Sequence, residues 1–507
     1  QKEIFTDKKN PMNVLIEGDN YHALSVLNFT HKGKIDLIYI DPPFNTGTNT
    51  WLYNNDYVEK DDLFRHSKWL SFMEKRLKLS KKLLKKNGSL IIAIDDYEVH
   101  QLGLLLEEIF PSYVKDLIIL VHHPQGAGSD TISRVHEYAF VLTPHDVGFA
   151  GRKSKKGESN WSLKRTGQGE NNWRENRPKQ FFALHIDENK REVIGVGPEI
   201  PKDEKKYPKN NTSEGFLRMY PFDKARKERA WRYNRSTMTN LIKEGKIIYT
   251  KKGALVVKKE GVNAVPIFSV WQGSKYNAGN HGSSLLTQIM GAANTFPYPK
   301  SLYTVKDMLD MIIGNNQNAT ILDFYAGSGT TAHAVMELND EDDGERNFIV
   351  CTNNENDICT NVCYPRIKKI IEGYEFDNEK RPGLGGNLKY YSTEFVDAAP
   401  TDRNKRKMVD LSTEMLCMRE DCFKEIKSEK SYKIFKNYED RYLGIIYDDA
   451  GIEPFKNQIL KLQKKINTYV FSLDESAREE EFEEIHDLVD LKPIPDVILN
   501  VYRRIFR

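Results

Sequence analysis

Short, almost uninterrupted apolar runs alternate with amphipathic stretches in the first part of the chain. The runs at 14–16, 35–40 and 90–94 are typical of strands that are covered on both faces of a parallel sheet. Between them, the apolar side chains of 63–84 and 99–110 recur with the period of a helix, and Asn87-Gly88 would end the first of these helices. The alternation predicts a doubly wound α/β sheet.

The pattern changes after about residue 125. The chain becomes rich in Gly, Asn, Lys and Arg, and only the runs 247–250 and 254–257 stand out, as a β-hairpin. An apolar strand at 319–324, a glycine turn and a further strand at 347–352 then restore the α/β pattern. We therefore predict one sheet that is divided by a long insertion, and such insertions usually carry recognition.

This organisation predicts four segments. The first half of the sheet domain is 1–124, and its second half is 291–400. The insertion is 125–290, within which 137–145 is open to assignment as a further core strand. A C-terminal domain of mixed character occupies 401–507.

Composition narrows the choice of protein class. With 507 residues the chain exceeds one ordinary core, and its apolar runs are too short to span a bilayer. Because no apolar signal segment follows Gln1, we expect a soluble, cytoplasmic protein without a membrane partner. Net charge is only +2, so DNA binding must be inferred from local patches. The cysteine pairs 359/363 and 417/422 lack zinc-knuckle spacing, so we expect no metal.

The first motif of chemical interest is Asp41-Pro42-Pro43-Phe44, directly after the apolar run 35–40. Its two prolines fix their own backbone and restrict the residue before them. Asp41 and the Pro42 carbonyl supply two hydrogen-bond acceptors, and Phe44 supplies a ring for stacking. This set suits the exocyclic amine of an adenine or cytosine that has left the duplex, because two acceptors stabilise the positive charge developing on its nitrogen. A proline turn that only ends a strand is the alternative.

A second motif stands at residues 323–331 and reads DFYAGSGTT. Gly327 and Gly329 leave room for a ligand against the main chain, and the next two threonines open a helix whose amides face that space. Glu355, past the following strand, can accept hydrogen bonds from ribose hydroxyls. The pattern suits a nucleoside cofactor. An ordinary strand–helix turn and a dehydrogenase site are the alternatives for this motif alone.

Taken together, the two motifs and their order resemble the beta class of bacterial DNA amino-methyltransferases. Within that class the chain is most similar to site-specific adenine methyltransferases that include the modification subunits of type III restriction systems. The stretches 16–24, 88–96, 297–301 and 386–391 support this subgroup. The resemblance covers 12–145 and 290–400, and it departs from the family at Phe44, where tyrosine is commoner.

The resemblance implies a Rossmann-like methyltransferase sheet with permuted motif order, an inserted target-recognition domain and a C-terminal extension. It implies S-adenosylmethionine as the cofactor and double-stranded DNA as the substrate, with the target adenine flipped into a pocket formed by Asp41, Pro42, Pro43 and Phe44. The implied cofactor-binding residues are Asp19, Asp41, Lys300, Ser301, Asp323, Phe324, Gly327, Gly329, Thr330, Thr331 and Glu355.

Within this implied cofactor site, three side chains have separate roles. Lys300 would face the cofactor's carboxylate, Glu355 its ribose and Asp19 its adenine. On local grounds alone, Lys300 is instead a solvated surface lysine, and Asp19 is a helix N-cap.

The insertion carries the basic patches. Its segment 151–180 holds basic side chains interleaved with Trp161 and Trp173, and 226–235 repeats this mixture. Phosphate neutralisation beside aromatic surfaces suits DNA, although a solvated face is the simpler reading of any charge run. The predicted DNA contacts are Lys164, Arg165, Arg174, Arg177, Arg232 and Arg235.

The leading hypothesis is thus an adenine-specific DNA methyltransferase of a restriction-modification or epigenetic system, acting at the bacterial nucleoid. Transfer to the cytosine amino group, a DNA-specificity protein with an inactive methyltransferase core, and a nicotinamide dehydrogenase are the alternatives. The segment 401–507 could form a homodimer, contact a restriction (Res) subunit or complete a DNA clamp.

Overall fold

The chain forms two compact units in the computed structural model. The main unit comprises Gln1–Gly151 and Ile267–Arg507, and the insertion unit comprises Arg152–Pro266. The structure describes residues 2–7, 10–46, 52–53, 56–57, 64–123, 126, 132–149, 152–153, 159–165, 170–208, 215–223, 225–250, 253–259, 264–265, 267–293, 295–394, 396–397, 399, 401–437, 439–471, 479–494 and 498.

A ten-stranded sheet is the centre of the main unit. In chain order its strands are β1 (Lys2–Ile4), β2 (Met12–Glu17), β3 (Ile35–Ile40), β4 (Leu84–Ile94), β5 (Tyr113–Val121), β6 (His136–Pro144), β7 (Val270–Trp271), β8 (Thr320–Asp323), β9 (Asn347–Thr352) and β10 (Asn387–Ser392). Their spatial order is β1-β10-β2-β9-β8-β3-β4-β6-β5-β7. The strands from β10 to β4 in this order are parallel, and β6 is antiparallel to both of its neighbours.

Helices cover both faces of this sheet. They are α1 (Asn20–Thr30), α2 (Arg65–Lys81), α3 (Val99–Ile109), α4 (Leu285–Met290), α5 (Leu302–Ile313), α6 (Thr330–Asp342) and α7 (Tyr364–Glu372). Ile38 and Ile40 pack with α1 to α3 in one buried cluster, whereas Leu37 and Tyr39 pack with α4 to α7 in another. Successive residues of β3 therefore face opposite layers. The predicted doubly wound α/β fold is confirmed.

The junction between α2 and β4 differs from the prediction. The helix ends at Lys81, and strand pairing with β3 already begins where Leu84 lies opposite Ile35. Asn87 and Gly88 are thus inside a strand and do not end the helix. A Cβ atom on Gly88 would lie 2.8 Å from the carbonyl oxygen of Ile35, so glycine permits the close approach of the two strands.

The insertion unit is narrower than the predicted 125–290. β6 pairs with β4 and β5, and β7 pairs with β5, so the flanks of the predicted insertion belong to the main sheet. The segment 137–145 is accordingly a core strand, since it lies almost entirely within β6. Long-range pairing decides this boundary, and composition does not reveal it.

Among its described residues, the insertion unit contains two three-stranded sheets, a two-stranded sheet and one α-helix. One sheet contains Ser159–Ser162, Leu255–Lys259 and Ile247–Tyr249, and its last two strands are the predicted hairpin. The other contains Glu192–Glu199, Phe182–Asp187 and Leu217–Met219. The helix is Arg235–Lys243, and the short strands Arg152–Lys153 and Ala264–Val265 pair with each other.

The C-terminal segment has its own sheet but belongs to the main unit. Its strands are Lys424–Ser428, Tyr432–Lys436, Tyr442–Ile446, Ile466–Val470 and Val489–Lys492, accompanied by α8 (Asp402–Glu420) and α9 (Ile452–Leu462). Lys34 donates a hydrogen bond to the carbonyl of Arg419 at 3.0 Å, which ties this segment to the loop after α1. Among the helices that the structure describes, none has the length and apolar character needed to cross a membrane.

Candidate active site

The two motifs follow neighbouring strands. β3 and β8 are parallel partners, with Leu37 opposite Ile321 and Ile38 opposite Leu322. The chain continues from β3 to β4 on one side and from β8 to β9 on the other, so the winding diverges between the two motif strands. In doubly wound sheets, ligands bind beyond the carboxyl ends of the strands at such a point. The structure therefore brings both motifs to the position where this fold holds ligands.

A cleft of about 1620 Å³ opens at this edge of the sheet. It is lined by ten of the predicted catalytic and cofactor-binding residues: Asp19, Asp41, Pro42, Pro43, Phe44, Lys300, Ser301, Phe324, Gly327 and Glu355. The remaining four, Asp323, Gly329, Thr330 and Thr331, are not among its lining residues. A smaller cavity of about 650 Å³ lies between the main sheet and the C-terminal sheet, away from both motifs.

The carboxylate of Asp41 lies beside a buried cation. Lys300 Nζ is 3.3 Å from Asp41 Oδ1, and it donates a hydrogen bond to Glu137 Oε2 on β6. Burial raises the pKa of Asp41 to about 6, with Lys300 lowering it and Glu137 raising it. Burial alone would lower the pKa of Lys300, but the two carboxylates raise it overall. Lys300 is therefore charged at neutral pH, and it is not the solvated lysine of the local reading.

Only part of the Asp41 carboxylate is available to a ligand. Oδ1 is shielded from solvent, and no described residue donates a well-aligned hydrogen bond to it, although Lys300 lies close by. About 26% of the side chain is exposed. Because Oδ1 is covered, Oδ2 is the oxygen that a molecule in the cleft can reach. The ring of Phe44 lines the same cleft, with its centroid 4.5 Å from Lys300 Nζ.

The Asp-Pro-Pro-Phe loop is held from behind. Trp69 on α2 is completely buried and donates its indole N–H to the carbonyl of Pro43 at 2.7 Å. Asn45 adopts a left-handed conformation with φ of 58° and donates its side-chain amide to Glu98. Glu98 is buried, and its carboxylate also lies 2.7 Å from Nδ1 of His66. These contacts fix the loop before any ligand binds.

The glycine turn exposes bare main chain to the cleft. Gly327 and Gly329 have φ of 49° and 79°, in the left-handed region that favours glycine. A Cβ atom on Gly327 would lie 3.1 Å from the ring of Phe296, which also lines the cleft. Any side chain at 327 would thus fill the space between the turn and this ring.

Asp323 closes the turn from inside. Its Oδ1 accepts a hydrogen bond from the main-chain N–H of Tyr325 at 2.8 Å, and its Oδ2 accepts one from the Thr331 hydroxyl at 2.5 Å. Burial raises the pKa of Asp323 to about 7, although both hydrogen bonds lower it. The structure therefore gives Asp323 and Thr331 a part in shaping the turn, and the direct cofactor contacts that the resemblance implied stay a prediction.

Arg366 on α7 supports the same turn, and the sequence pattern does not single it out. Its buried guanidinium donates to Thr330 Oγ1 at 2.9 Å and to Ser328 Oγ at 3.1 Å. Burial lowers the pKa of Arg366 to about 10. The hydroxyl of Thr330 is thereby turned inward. Sequence reasoning also missed Glu137, Phe296 and Trp69 as members of the site, since no local motif assigns them to it.

Asp19 is the helix N-cap that the local alternative proposed, and its role toward the cofactor's adenine stays a prediction. Its Oδ1 accepts from the N–H of Tyr21 at 2.8 Å and so caps α1, and its Oδ2 is 3.2 Å from a guanidinium nitrogen of Arg76. The next residue, Asn20, donates to the carbonyl of Phe324 at 3.1 Å. This bond ties the start of α1 to the glycine motif, and Asp19 remains half exposed at the cleft.

Glu355 and Ser301, two of the predicted cofactor-binding residues, contribute to the cleft in different ways. Glu355 follows β9 in a short turn, Glu355–Asp357, and its half-buried side chain lines the cleft. Ser301 precedes α5, and its hydroxyl donates to the carbonyl of Lys275 at 2.8 Å. Ser301 thus fixes the start of a helix, whereas Glu355 keeps its carboxylate at the cleft surface.

Comparison with known families decides which class of protein carries this cleft. Residues 35–362 match the family described as DNA methylase, with N6 and N4 members. The chain belongs to this DNA methylase family. Among curated proteins, the methylase is similar to the EcoPI Mod subunit, a type III restriction-modification enzyme of Escherichia phage P1, with 32% identity over 69% of this chain and 58% of that protein. The chain therefore spans less than two thirds of the length of the EcoPI Mod subunit.

One further curated protein and one solved structure are also similar to this chain. The type II methyltransferase M.KpnI of Klebsiella pneumoniae is 30% identical over 68% of this chain and 82% of its own. Among solved structures, the M1.HpyAVI–SAM complex is 14% identical, covers 70% of this chain and 98% of its own, and has a TM-score of 0.33.

S-adenosylmethionine is the cofactor of this family. The cleft of this chain fits such a molecule on two observations. Gly327 leaves the main chain open beside Phe296, where any side chain would fill the space. Glu355 offers a carboxylate for hydroxyl groups at the edge of the same cleft. Among the described residues, no cluster of side chains that could hold a metal is found, and the five cysteines are buried free thiols.

Arg174 is the predicted DNA contact that the structure corrects. Its side chain is buried in the insertion unit, 3.0 Å from Glu228 Oε2, and it donates to the carbonyls of Pro201 and Glu204 at 2.5 and 3.0 Å. The guanidinium also lies 4.3 Å from the ring centroid of Phe181. Because these internal partners surround the charge, Arg174 holds the unit together and is not presented to DNA.

Three other predicted DNA contacts, Arg165, Arg177 and Arg232, lie close together in the insertion unit. Arg165 N donates to the carbonyl of Ala230 at 3.0 Å, and Arg232 N donates to that of Leu163 at 2.8 Å, so the two arginines lie on paired segments. Burial lowers the pKa of Arg165, and the nearby charges of Arg177 and Arg232 lower it further. All three side chains are half-buried. The result is a concentrated positive patch, which we call the arginine cluster.

The last two predicted DNA contacts have local partners. Lys164 Nζ donates to the carbonyl of Phe222 at 2.5 Å, and Arg235 Nε donates to that of Gly197 at 2.9 Å. Arg235 is nevertheless exposed at the start of the insertion helix. Lys155 and Lys156, which contribute to the basic run, lie outside the described residues.

Proposed function

We propose that this methylase transfers a methyl group from S-adenosylmethionine to the exocyclic amine of adenine in double-stranded DNA. The observation that carries the proposal is the position of the Asp-Pro-Pro-Phe loop and the glycine turn on adjacent parallel strands, as two walls of one cleft. One wall offers acceptors and a ring, and the other offers open main chain. Two such walls suit a reaction between a flat amine-bearing base and a nucleoside cofactor.

On the base side, Asp41 and Phe44 carry the chemistry. Asp41 Oδ2 and the Pro42 carbonyl accept the two amine hydrogens, while Phe44 stacks on the base that has left the duplex. As the nitrogen uses its electron pair to attack, positive charge develops on it, and the carboxylate stabilises that charge. Methyl transfer would form an N–C bond in place of a C–S bond of S-adenosylmethionine, and the amine would pass its surplus proton to solvent in the cleft. The carbonyl of Pro43 accepts a hydrogen bond from the indole N–H of Trp69, which holds the loop in place.

On the cofactor side, the residues divide into those that touch and those that support. When bound, S-adenosylmethionine supplies an electrophilic methyl group on a sulfonium. We assign Glu355 to its ribose, Asp19 to its adenine, and the main chain at Gly327 and Phe324 to its amino-acid end. Asp323, Gly329, Thr330 and Thr331 hold the turn in shape, together with Arg366. Ser301 fixes the helix that follows Lys300.

Adenine is preferred over cytosine for one reason. Both bases present a conjugated amine, and the geometry of acceptors and ring suits either. Aspartate before the two prolines, where a serine is the other option, favours adenine by resemblance to the adenine-specific subgroup. The N6 and N4 members of the family perform the same bond change on these two amines, so the base itself must be identified by experiment.

The insertion unit supplies the proposed DNA contacts. The arginine cluster and the exposed Arg235 are the side chains that we assign to phosphate groups, and Lys164 contributes charge nearby. Arg174 is left out of this set. Since relatives include Mod subunits of type III restriction-modification enzymes, we also propose a restriction subunit as partner, with 401–507 as the segment that contacts it or a second copy of the chain.

One experiment tests the reaction and the base together. The protein is incubated with plasmid DNA and isotopically labelled S-adenosylmethionine, and the DNA is digested to nucleosides for mass spectrometry. We expect label in 6-methyladenine. Label in 4-methylcytosine would leave the chemistry intact and move the target to cytosine. An absence of methylated nucleosides, with cofactor binding intact, would favour a specificity protein with an inactive core.

A further inference from the structure

Lys300 is shared by two carboxylates that reach it from different strands. Asp41 follows β3, whereas Glu137 lies on β6, the antiparallel strand on the far side of β4. Lys300 donates a hydrogen bond to Glu137, but it meets Asp41 Oδ1 only as an ion pair at 3.3 Å. Glu137 is 6% exposed and Lys300 is also largely buried, so solvent screens this group only weakly.

The sharing has an electrostatic consequence. A lysine that paired with Asp41 alone would neutralise its charge and weaken it as an acceptor for the target amine. Glu137 supplies a second negative charge, which takes the hydrogen bond of the lysine and leaves the group of three with a net negative charge. A negative group suits a site where positive charge develops on a nitrogen atom.

We propose that Glu137 is a positioning residue for methyl transfer, which takes the hydrogen bond of Lys300 and so leaves the negative charge of Asp41 available to the target amine. The inference rests on the proposed function, because it names the residue that sets the strength of the acceptor. It also gives Lys300 a part on the base side of the cleft, where the resemblance placed it against the cofactor's carboxylate.

Other charged groups around this trio must be considered. Asp323 and the phenol of Tyr39 act on Asp41 or are influenced by it, and Asp95 is influenced by Lys300. Arg134 lies 3.3 Å from Asp96 and also influences Asp95. His122 and His123 line the same cleft. Compared with these groups, Glu137 is distinguished by the hydrogen bond that it accepts from Lys300.

Glu137→Gln tests the proposal in the full-length protein, since it removes the charge and keeps the shape. The single-turnover rate of methyl transfer is measured from pH 5 to 8.5 with a duplex that carries the target site. We expect a fall of about ten-fold at pH 7.5, because Lys300 would then pair with Asp41 alone and weaken it as an acceptor. We also expect an acid limb shifted to lower pH, because Glu137 no longer raises the pKa of Asp41. Affinity for S-adenosylmethionine, measured by calorimetry, should stay within about three-fold of the wild type.

Matched variants separate positioning from folding. Glu341→Gln removes a glutamate that lies 2.6 Å from another mostly buried lysine, Lys306, outside the cleft, and it should move neither rate nor pH limb. Glu137→Asp should restore part of the rate. In a Lys300→Met background, Glu137→Gln should no longer lower the rate at pH 7.5, since that loss acts through the lysine, whereas the direct effect of the Glu137 charge on the pKa of Asp41 remains.

The outcomes separate this inference from the proposed function. A wild-type protein that methylates no base would remove the proposed function itself. An active wild type, combined with a Glu137→Gln variant whose acid limb stays in place, would overturn only the role of Glu137. The same holds if Glu137→Gln lowers the rate at pH 7.5 equally with and without Lys300.

Discussion

Lys300 Nζ lies 3.3 Å from Asp41 Oδ1 and joins the second half of the sheet domain to the loop that follows β3. The two residues come from stretches separated by the whole insertion unit. Their contact is possible because the strands on either side of the insertion belong to one sheet. The cleft therefore depends on the order of the strands, because the segments that form it are distant in sequence and meet only when the sheet has formed.

Asp41→Asn should abolish methyl transfer. The amide keeps the size of the carboxylate but lacks its charge, so it cannot stabilise the positive nitrogen, and we expect a loss of at least about 100-fold in single-turnover rate. Affinity for S-adenosylmethionine should change only a few-fold, since Asp41 acts on the amine. Substantial turnover in the variant would show that another group carries this role.

Phe44→Ala should weaken capture of the target base by ~1–3 kcal/mol, the range for stacking of a base on an aromatic ring. Phe44→Tyr keeps the ring and should retain the affinity. The measurement is fluorescence anisotropy with an intact target duplex, compared with a duplex that lacks the site. Equal losses of affinity for both duplexes would indicate a defect other than stacking on the target base.

Gly327→Ala should lower affinity for S-adenosylmethionine. Its Cβ atom would lie 3.1 Å from Phe296 within the cleft, and its φ of 49° adds backbone strain of about 1–2 kcal/mol. Gly33→Ala is the matched control, because Gly33 also has a left-handed φ, of 65°, but open space around its Cβ position. Calorimetry should detect a loss only in the Gly327 variant, while both variants melt at lower temperature. Equal binding losses would point to backbone strain alone.

The rate of methyl transfer should rise with pH through about 6. Burial raises the pKa of Asp41 to about 6. Below this pH the carboxyl group is protonated, so it has no negative charge to stabilise the positive nitrogen and is a weaker acceptor for the N–H of the amine. Burial also raises the pKa of Asp95 to about 6, so Asp95→Asn is the necessary control. If the limb disappears in the Asp95 variant, the titration belongs to that residue.

Substitutions in the insertion unit should divide into two classes. Replacing Arg165, Arg177 or Arg232 with glutamine should weaken DNA binding and reduce the slope of log affinity against log salt by about 0.9 for each lost phosphate contact. Arg174→Gln should instead lower the free energy of unfolding by roughly 1–3 kcal/mol, because Glu228 and two main-chain carbonyls would lose the guanidinium that donates hydrogen bonds to them. An unchanged salt slope in all three cluster variants would place the DNA contacts elsewhere.

The strands, the order of the two motifs and the hairpin in the insertion could be predicted from the sequence. Buried parallel strands require continuous apolar runs, and tight turns near a ligand require proline or glycine, so these elements leave a local record. The helix end at Lys81 left none, because pairing of Leu84 with β3 overrides the Asn-Gly turn signal. Arg174 left none either, since a basic run looks the same in sequence whether its members face solvent or Glu228.

The amino-acid sequence by itself determined the class of fold, the identity of the two motifs and the kind of chemistry they support, because local conformation and residue type are encoded by neighbours along the chain. Only the tertiary structure decided that Lys300 pairs with Asp41 and Glu137, that Asp323 closes its own turn and that Arg366 holds that turn from α7. Such contacts join residues from separate elements. Their partners are selected by strand order, burial and charge in three dimensions.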